Sequence, residues 1–425
     1  MMKLFADLQI HSRFSRATSP SITIQNLEKY ARLKGLNLLG TGDFTHPKWI
    51  DELKSELEED GSGILTSESG FHFVLQGEIS NIYVQDGKQR RVHTLLLARN
   101  FEIVEQINSA LLRKGRLDYD GRPIFGFTCV ELAEMMKEID DDIEIIPAHA
   151  WTPWYGIFGS MSGFDSVEEC FKEYAHKINA IETGLSSDPL MNWRISALDK
   201  YTLLSSSDAH SFWPWRLGRE CNVFDIDLSY DDLLQAIRKK KGFVETVEMW
   251  PHEGKYHYTG HRNCNVSYSP NEALKVKNIC PKCRSKLTVG VAQRVELLAD
   301  REEGFVPKNA VPFRNLIPLS EVIAGTEGEK VESKNVWGEY YKLTNAFGNE
   351  FNVLLKAEES NLKKITSEKI TKNIIRNRNQ KIPFKPGYDG VYGVPIFNES
   401  GLEEYKEEKG KIKAKIEQKG LSDFI

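Results

Sequence analysis

Short apolar runs alternate with amphipathic stretches over the first 240 residues. The apolar runs cover residues 4–10, 36–39, 71–75, 92–98, 143–146, 178–181 and 201–204. Most are separated by stretches of helical length with one apolar face, at residues 23–33, 101–113, 130–139, 167–176 and 230–239. This alternation is typical of α/β proteins with a largely parallel sheet, and seven strands favour a closed or nearly closed barrel.

The pattern changes in the second half of the chain. Residues 250–293 are rich in aromatic, basic, Cys and His residues and lack a long periodic run, whereas residues 294–425 are mostly helical in pattern. Loops are expected around residues 302–312 and 383–395, and a polar linker over residues 325–334.

Charge is distributed unevenly. Residues 238–294 hold 12 Lys and Arg against 4 Asp and Glu, and residues 363–385 hold 8 against 1. Because the whole chain has a net charge of −5, the remaining residues carry −20. Two basic patches in an acidic chain indicate a polyanionic partner.

Two classes of protein are excluded by composition. No apolar run reaches the roughly 18 residues of a membrane span, and the first residues resemble no signal peptide. Three of the six cysteines lie within residues 264–283 and the others are scattered, which does not fit a disulfide framework. We therefore expect a cytoplasmic protein without membrane partners.

Each of the seven predicted strands ends near a side chain that can bind a metal. These side chains are His11, Asp43, Glu78, His93, His149, Glu182, Asp208 and His210. Because the carboxyl ends of parallel barrel strands meet at one face, the sequence predicts a multinuclear metal site there. Taken singly, His93 could be a core histidine, and Asp43 or Asp208 a turn or helix cap.

These residues form an ordered series of motifs that resembles the polymerase and histidinol phosphatase (PHP) superfamily. The series is Asp7-x-Gln9-x-His11, Thr41-Gly42-Asp43, Gly77-Glu78, His93, His149, Glu182 and Ser207-Asp208-Ala209-His210. The resemblance implies an α/β fold, a PHP-type distorted seven-stranded (β/α) barrel, with up to three metals that hydrolyse phosphoesters. Two positions differ, since Gln9 replaces a His and Phe44 stands where a His normally follows Asp43. Asp7, Asp43 or His46 are candidate replacements.

The resemblance implies roles for individual residues. The implied metal ligands are Asp7, Gln9, His11, Asp43, Glu78, His93, His149, Asp208 and His210. Asp208, Glu78 and the near-site acid Glu182 would support catalysis with two or three divalent ions: zinc, with magnesium or manganese for activity. Arg13 and Arg16 follow His11 and are either phosphate clamps or part of a solvated loop.

A second metal motif has the spacing of a zinc ribbon. His261 and Cys264 are separated by 15 residues from Cys280-Pro281-Lys282-Cys283. This predicts a structural Cys3His zinc site, with His257 as the alternative fourth ligand, in a module that needs zinc to fold. Expected DNA contacts are Arg262, Lys282 and Arg284 beside this motif and Trp151, Trp154 and Trp213 beside the barrel ligands, although these tryptophans could instead pack in loops.

Nearly the whole chain resembles the archaeal endonuclease Q family and its bacterial relatives. The matching stretches are Gly254-Lys255-Tyr256-His257-Tyr258, Gly260-His261-Arg262, Arg294-Val295-Glu296-Leu297-Leu298-Ala299-Asp300 and Pro386-Gly387-Tyr388-Asp389-Gly390-Val391-Tyr392-Gly393. The resemblance implies a nucleoid-associated archaeal DNA-repair endonuclease. It would act on double- or single-stranded DNA, cutting 5′ to flipped hypoxanthine, uracil or xanthine, or to an abasic site. The alternatives are a PHP phosphatase for a small phosphomonoester and a catalytically inactive DNA-binding module.

The last residues resemble the box that binds the replication sliding clamp, proliferating cell nuclear antigen. The box consists of Gln418, Leu421, Phe424 and Ile425. Leu421 and Phe424 are three residues apart, so one tight helical turn places both on one side. The alternative is a tail without a partner.

We therefore predict four units. They are a phosphoesterase domain at residues 1–245, a zinc ribbon at 246–293, a mainly helical DNA-binding domain at 294–400, and a charged tail with the clamp-binding box at 401–425.

Overall fold

The computed structural model describes residues 3–407 apart from residues 399 and 404. The predicted clamp-binding residues Gln418, Leu421, Phe424 and Ile425 lie outside the described residues, as does most of the predicted tail. None of the helices in the described ranges has the length and apolar character that a membrane crossing requires.

A large sheet occupies the first 250 residues. Its strands and their immediate neighbours are β1 (Leu4–Asp7), β2 (Leu38–Gly40), β3 (Leu57–Glu59), β4 (Leu65–Ser67), β5 (His72–Gln85), β6 (Lys88–Ala98), β7 (Ile124–Phe125), β8 (Glu144–Pro147), β9 (Ala180–Glu182), β10 (Thr202–Leu204), β11 (Cys221–Phe224) and β12 (Phe243–Glu248). All seven predicted strands are present, as β1, β2, β5, β6, β8, β9 and β10.

The sheet is mixed rather than largely parallel, which corrects the expectation from sequence. β2 pairs in parallel with both β1 and β5, but β5–β6, β6–β8 and β1–β11 are antiparallel. The antiparallel β5–β6 hairpin turns at Asp86 and Gly87, which both have positive φ. An Asp-Gly pair is a typical two-residue hairpin turn because both positions need this conformation.

The parallel pair β9–β10 is joined to the large sheet by single hydrogen bonds rather than by strand ladders. Beyond β8, the Ala150 amide donates to the Glu182 carbonyl at 3.0 Å. Beyond β10, the Asn222 side chain on β11 bonds both the amide and the carbonyl of Ser205. These bonds connect the β9–β10 pair to the end of β8 on one side and to β11 on the other.

Helices cover the sheet. They are α1 (Ile24–Lys34), α2 (Pro47–Glu56), α3 (Phe101–Leu112), α4 (Cys129–Ile139), α5 (Val167–Phe171), α6 (Pro189–Asn192) and α7 (Tyr230–Lys239). Side chains of Thr23, Asn100, Thr128 and Ser229 cap four of them, as expected for residues that accept a bond from an orphan helix amide. The helix predicted over residues 167–176 is interrupted at Lys172, where φ is 46° and a 3-10 helix (Lys172–Lys177) begins.

The Cys- and His-bearing segment forms a small unit of its own. It contains β13 (Thr259–His261), β14 (Val266–Tyr268) and α8 (Pro270–Lys275). Its buried apolar cluster consists of Val266, Tyr268, Ala273, Cys280 and Leu287. Since one of these five is a candidate ligand, the unit has little hydrophobic core.

The remaining described chain is mainly helical, as expected. Its elements are α9 (Val291–Leu298), β15 (Phe313–Asn315), α10 (Leu319–Glu327), α11 (Lys334–Phe347), α12 (Glu350–Leu355), α13 (Glu359–Ile365), α14 (Glu368–Arg378), β16 (Phe384–Lys385) and β17 (Val394–Pro395). The predicted linker at 325–334 starts later, because α10 continues to Glu327 and ends at the left-handed Gly328. β15 pairs with β12, so this part of the chain returns to the large sheet before the helices begin.

A buried ion pair joins the large sheet's helices to the C-terminal helices. Lys34, at the end of α1, lies with its Nζ 2.7 Å from Glu350 Oε1 on α12. Glu350 also accepts hydrogen bonds from the Tyr340 hydroxyl and the Leu319 amide. Beside it, Trp213 and Trp215 pack against Trp337 of α11.

Candidate metal centre

Three candidate residues sit in turns with unusual backbone geometry. Asp43, His149 and Asp208 follow β2, β8 and β10, and have φ of 41°, 32° and 48°. Non-glycine residues rarely adopt this left-handed conformation, and it is concentrated at functional sites where the surrounding structure enforces it. The three turns thus direct side chains from distant parts of the sequence into one buried space.

The first ligand group consists of His11, Asp208 and His210, whose ligand atoms all lie within 4.8 Å of one another. His11 Nε2 is 3.1 Å from Asp208 Oδ1. The His210 Nδ1–H donates to the Asp208 carbonyl at 2.8 Å, which leaves the Nε2 lone pair of His210 for a ligand.

The second group consists of Glu78, His93 and His149, again with ligand atoms within 4.8 Å. Glu78 Oε1 lies 2.7 Å from His93 Nδ1 and 3.3 Å from His149 Nε2. Its other oxygen, Oε2, lies 3.0 Å from His11 Nε2 in the first group. The Glu78 carboxylate therefore connects the two groups.

The unsatisfied atoms of this site fit divalent cations. His11 Nε2 and Asp208 Oδ1 are buried and face each other without a hydrogen bond. Burial lowers the pKa of His11, but the neighbouring carboxylates of Asp43, Asp208 and Glu78 raise it well above its usual value. Orphaned buried acceptors are costly, and imidazole with carboxylate is the donor set for zinc, manganese or iron. Both groups fit this class of ion.

Asp43 positions a candidate ligand. Its Oδ1 accepts a hydrogen bond from His11 Nδ1 at 2.9 Å, while Oδ2 accepts bonds from Ser12 and Ser15. This arrangement leaves His11 Nε2 directed toward Asp208 and Glu78, as carboxylates beside metal-binding histidines commonly do. The predicted ligand Asp43 is thus occupied in orienting His11.

The other two weak candidates from the first motif also act on their neighbours. Asp7 is buried, and its two oxygens accept bonds from the Ser207 and Gly218 amides at 3.0 and 2.8 Å. Burial raises the pKa of Asp7 to about 6, although these bonds oppose the shift. Gln9 donates from Nε2 to Glu78 Oε2 at 3.0 Å, so its amide fixes Glu78.

Glu182, predicted as a near-site acid, lies beside the second group. Its Oε2 accepts the His149 backbone amide at 3.2 Å, and its Oε1 is buried without a hydrogen bond. Burial raises the pKa of Glu182 to about 8. His46, in contrast, precedes α2 and stacks on Phe14 at 4.3 Å, outside both ligand groups.

The sequence interpretation missed Arg122. Its Nη1 lies 3.5 Å from Glu78 Oε1. The preceding residue, Gly121, packs so closely on Asp43 that a Cβ there would lie 2.3 Å from Asp43 Oδ2. Although burial favours the neutral acid, Arg122 and His93 hold the pKa of Glu78 well below its usual value. The signal in the sequence was faint: an Asp120-Gly121 turn followed by an arginine, outside every strand.

Several predicted DNA contacts are occupied within the protein. Trp151 is buried and donates from Nε1 to Asn192, which favours the alternative that it packs within the protein. Trp213 stacks on Trp215 at 5.1 Å within an aromatic cluster, whereas Trp154 is half-buried against Tyr256. Arg13 pairs with Glu52. The sequence does not show these contacts, because the partners lie far apart along the chain.

The remaining predicted cations are exposed. Arg16 pairs with Asp120 at 3.3 Å while its side chain stays largely in solvent. Arg262, Lys282 and Arg284 lie on the surface of the small Cys- and His-bearing unit.

In that unit, the four predicted zinc ligands come together. The ligand atoms of His261, Cys264, Cys280 and Cys283 all lie within 4.8 Å of one another. Asn265 and Arg284 follow two of the cysteines with φ of 50° and 65°, which gives each half the tight turn of a knuckle. Hydrogen bonds from Ser285 lower the pKa of Cys283 to about 6, which favours the thiolate. The alternative ligand, His257, packs on His252 instead.

Comparison with solved structures shows where this architecture recurs. The lesion-specific endonuclease PfuEndoQ of Pyrococcus furiosus superposes with a TM-score of 0.84 and 34% sequence identity, over 94% of this chain and 96% of that protein. The chain belongs to the endonuclease Q family. A second endonuclease Q structure, bound to a 27-mer duplex with an abasic lesion at its active site, matches with the same TM-score and identity over 94% of this chain and 98% of that one.

Relatives of this endonuclease Q family member extend beyond the solved structures. Protein MJ0043 of Methanocaldococcus jannaschii is 33% identical over 309 residues, which are 70% of this chain but 37% of that protein's length. Protein YqxK of Bacillus subtilis is 28% identical over 412 residues, 92% of this chain and 99% of that protein. The family model of the MJ0043 C-terminal domain matches residues 318–381, which span the helices from α10 to α14.

Proposed function

We propose that this protein is a metal-dependent DNA-repair endonuclease that hydrolyses the phosphodiester 5′ to a deaminated base or an abasic site. The bases proposed are hypoxanthine, uracil and xanthine. The observation that carries the proposal is Glu78, which connects two ligand groups in a chain of the endonuclease Q family. Two adjacent ligand groups are typical of enzymes that displace an oxygen from phosphorus.

The two groups would divide the ions between them. His11, Asp208 and His210 would hold one, and Glu78, His93 and His149 the other, with Asp43 and Gln9 orienting the ligands. Such ions, when bound, make water nucleophilic near neutral pH and stabilise the oxygen that leaves phosphorus. Glu182 would support catalysis by fixing the turn that carries His149.

Arg122 supplies a cation from the protein itself. Its guanidinium contacts Glu78 through Nη1, and a guanidinium has five N–H donors in a planar fork. A phosphate oxygen held beside Glu78 would therefore find donors already in place. We assign Arg122 to the scissile phosphate.

The other units would hold the DNA. In this proposal residues 1–245 form a PHP-type barrel that cuts. Residues 246–293 form a zinc ribbon and residues 294–400 a helical domain, and these two grip the duplex. The exposed Arg16, Arg262, Lys282 and Arg284 are the proposed phosphate contacts, since they lie at the surface and are positively charged.

Nicking of defined lesions tests the proposal. End-labelled duplexes with one deoxyinosine, deoxyuridine, deoxyxanthosine or abasic site are incubated with zinc, magnesium or manganese, beside an undamaged duplex and a small phosphomonoester. We expect a cut 5′ to the lesion alone, no product with EDTA, and binding without cutting by Asp208→Ala. Hydrolysis of the phosphomonoester alone would instead favour a phosphatase, and full activity of Asp208→Ala would refute the metal assignment.

A sliding clamp remains the proposed partner of the C-terminal tail. The support is the sequence Gln418 to Ile425 itself, with apolar residues three apart at the end of a charged segment. Removing these eight residues should abolish binding to proliferating cell nuclear antigen and leave nicking of short duplexes unchanged. Equal clamp binding by the truncated chain would refute this assignment.

A further inference from the structure

The loop between β16 and β17 presents apolar side chains to solvent. Val391, Tyr392 and Val394 are 39%, 51% and 55% exposed. Three neighbouring apolar side chains on one loop tip are unusual for a surface loop, and clustered exposed apolar groups mark contact sites. We call residues 386–394 the tip loop.

The tip loop is hydrogen-bonded to residues 252–255, which lead into the Cys- and His-bearing unit. The amides of Gly387, Gly390 and Gly393 donate to carbonyls of residues 252, 255 and 253 at 2.8–3.0 Å. A Cβ at Gly387 would lie 2.3 Å from the Gly254 carbonyl, and one at Gly393 1.9 Å from that of residue 252. Only glycine permits this approach, so the backbone of the tip loop packs directly against this segment.

Arg219 is hydrogen-bonded next to the first ligand group and lies within electrostatic range of the tip loop. The buried Arg219 donates to the Ser207 carbonyl from Nε at 3.1 Å and Nη2 at 3.0 Å, directly before Asp208. Burial lowers the pKa of Arg219, and both Asp208 and Tyr392 are near enough to act on it electrostatically. Arg219 is thus bonded to the residue before Asp208 and is affected electrostatically by Tyr392.

Backbone packing gives a second, independent connection to the other ligand group. A Cβ at Gly184 would lie 2.7 Å from His149 Cα, and one at Gly254 would lie 2.6 Å from Ser186 Oγ. The chain from His149 through residues 184–186 and Gly254 thus reaches Gly387 by direct contacts. A continuous series of close contacts therefore joins the tip loop to the turn that carries His149.

Positive charge flanks the apolar tip. Lys255 Nζ lies 4.7 Å from the centre of the Tyr392 ring. The exposed Arg262 has Nη1 3.2 Å from the Cβ position at Gly390, and its backbone amide is held by Asp389 at 2.7 Å. Apolar groups between cations match DNA, in which apolar base faces lie between phosphates.

We propose that Tyr392, with Val391 beside it, enters the base stack of lesion-bearing duplex DNA and holds the space left by the extruded nucleotide. Lys255 and Arg262 would contact the phosphates on either side. Inserted apolar side chains keep a duplex unstacked at the step they occupy, which favours extrusion of a weakly paired base. This inference rests on the proposed endonuclease function.

Substrates that differ only in pairing test the inference. Tyr392→Ala and Tyr392→Phe are compared on deoxyinosine paired with thymidine in a duplex and on deoxyinosine in an unpaired bubble. We expect Tyr392→Ala to lower kcat/KM about tenfold on the duplex and to stay within about twofold of wild type on the bubble. Tyr392→Phe should match wild type on both. The control is Phe305→Ala, which removes an exposed ring lying 4.3 Å from the Arg301 guanidinium.

Binding without cleavage gives a second measurement. In the Asp208→Ala background, which should bind without cutting, the chain with Tyr392 should make the thymidine opposite deoxyinosine reactive to permanganate. Adding Tyr392→Ala should reduce this reactivity. An equal loss of kcat/KM on duplex and bubble, or no loss on the duplex, would overturn the inference while leaving the endonuclease function intact. A wild-type protein that cuts neither substrate would refute both.

Discussion

At the residue scale, the site depends on side chains that hold other side chains. Asp43 accepts a hydrogen bond from His11 Nδ1. Gln9 donates to one oxygen of Glu78, and Arg122 lies beside the other oxygen. The two departures from the PHP pattern are explained by this arrangement in part. Gln9 donates a hydrogen bond to the candidate ligand Glu78. Phe44 is buried, and its ring lies 3.0 Å from the position of a Cβ at Gly77.

Arg122 provides the prediction at this scale. Arg122→Ala should lower kcat/KM for a lesion duplex by about 100-fold, because a preorganised donor to the reacting phosphate is lost. Arg122→Lys should recover part of this loss, since lysine keeps the charge but not the planar fork. Single-turnover nicking gives the rate, and fluorescence anisotropy in the Asp208→Ala background gives DNA affinity without cleavage.

The matched control is Arg116→Ala, in the same loop. Arg116 is exposed and pairs with Asp118 at 2.9 Å, away from Glu78. Its removal should leave the rate unchanged. Comparable losses in both variants would show that the loop as a whole, rather than the Arg122 guanidinium, supports activity.

At the element scale, a hairpin and a pair of knuckles bring ligands together. Glu78 and His93 lie on β5 and β6, opposite Leu95 and Ser80, so they are diagonal neighbours on one face of the hairpin. The four Cys and His residues of residues 261–283 are presented by short turns. The hairpin is buried in the main hydrophobic core, whereas the small unit has little core of its own.

The small unit gives the prediction at this scale. Cys280→Ser should remove about one zinc per chain and unfold residues 259–288, because five buried residues cannot stabilise a unit of this size alone. Metal analysis and proteolysis across this segment measure the two effects. Cys170→Ala, which changes a buried cysteine of the first region, should leave the zinc content unchanged. Retention of full zinc content by Cys280→Ser would contradict the site.

At the scale of the whole molecule, a buried ion pair fixes the C-terminal helices against the large sheet. Lys34 and Glu350 are almost completely buried, and Glu350 accepts two further hydrogen bonds. Breaking one partner of such a pair leaves an uncompensated charge in the interior.

Lys34→Met should therefore destabilise the protein by about 3–5 kcal/mol, and the double variant with Glu350→Gln should recover part of the loss. Denaturant unfolding monitored by tryptophan fluorescence suits this test, because Trp213, Trp215 and Trp337 lie between the two regions. The control is Lys54→Met, which breaks an exposed pair with Glu105 and should cost less than about 1 kcal/mol. Equal losses in Lys34→Met and Lys54→Met would contradict the assignment.

The positions of the seven predicted strands, the starts of five helices and the candidate ligands were predictable from sequence. Local periodicity and strand-end chemistry are properties of short segments, and the structure brings the predicted His and acidic residues into two adjoining groups. The sequence also contains the turn signal of the antiparallel β5–β6 hairpin, Asp86-Gly87. The expectation of parallel strands separated by helices left this signal unused.

Only the tertiary structure decided which side chains act on which. Arg122 contacts Glu78, 44 residues away in sequence, and Lys34 contacts Glu350, 316 residues away. Trp151 is buried with its Nε1 bonded to Asn192. The tip loop depends on three glycines whose amides bond a segment over 130 residues earlier. By itself, the sequence determined local conformation and which residues can bind metal. The pairing of buried charges depends on distances between remote segments, and these exist only once the chain has folded.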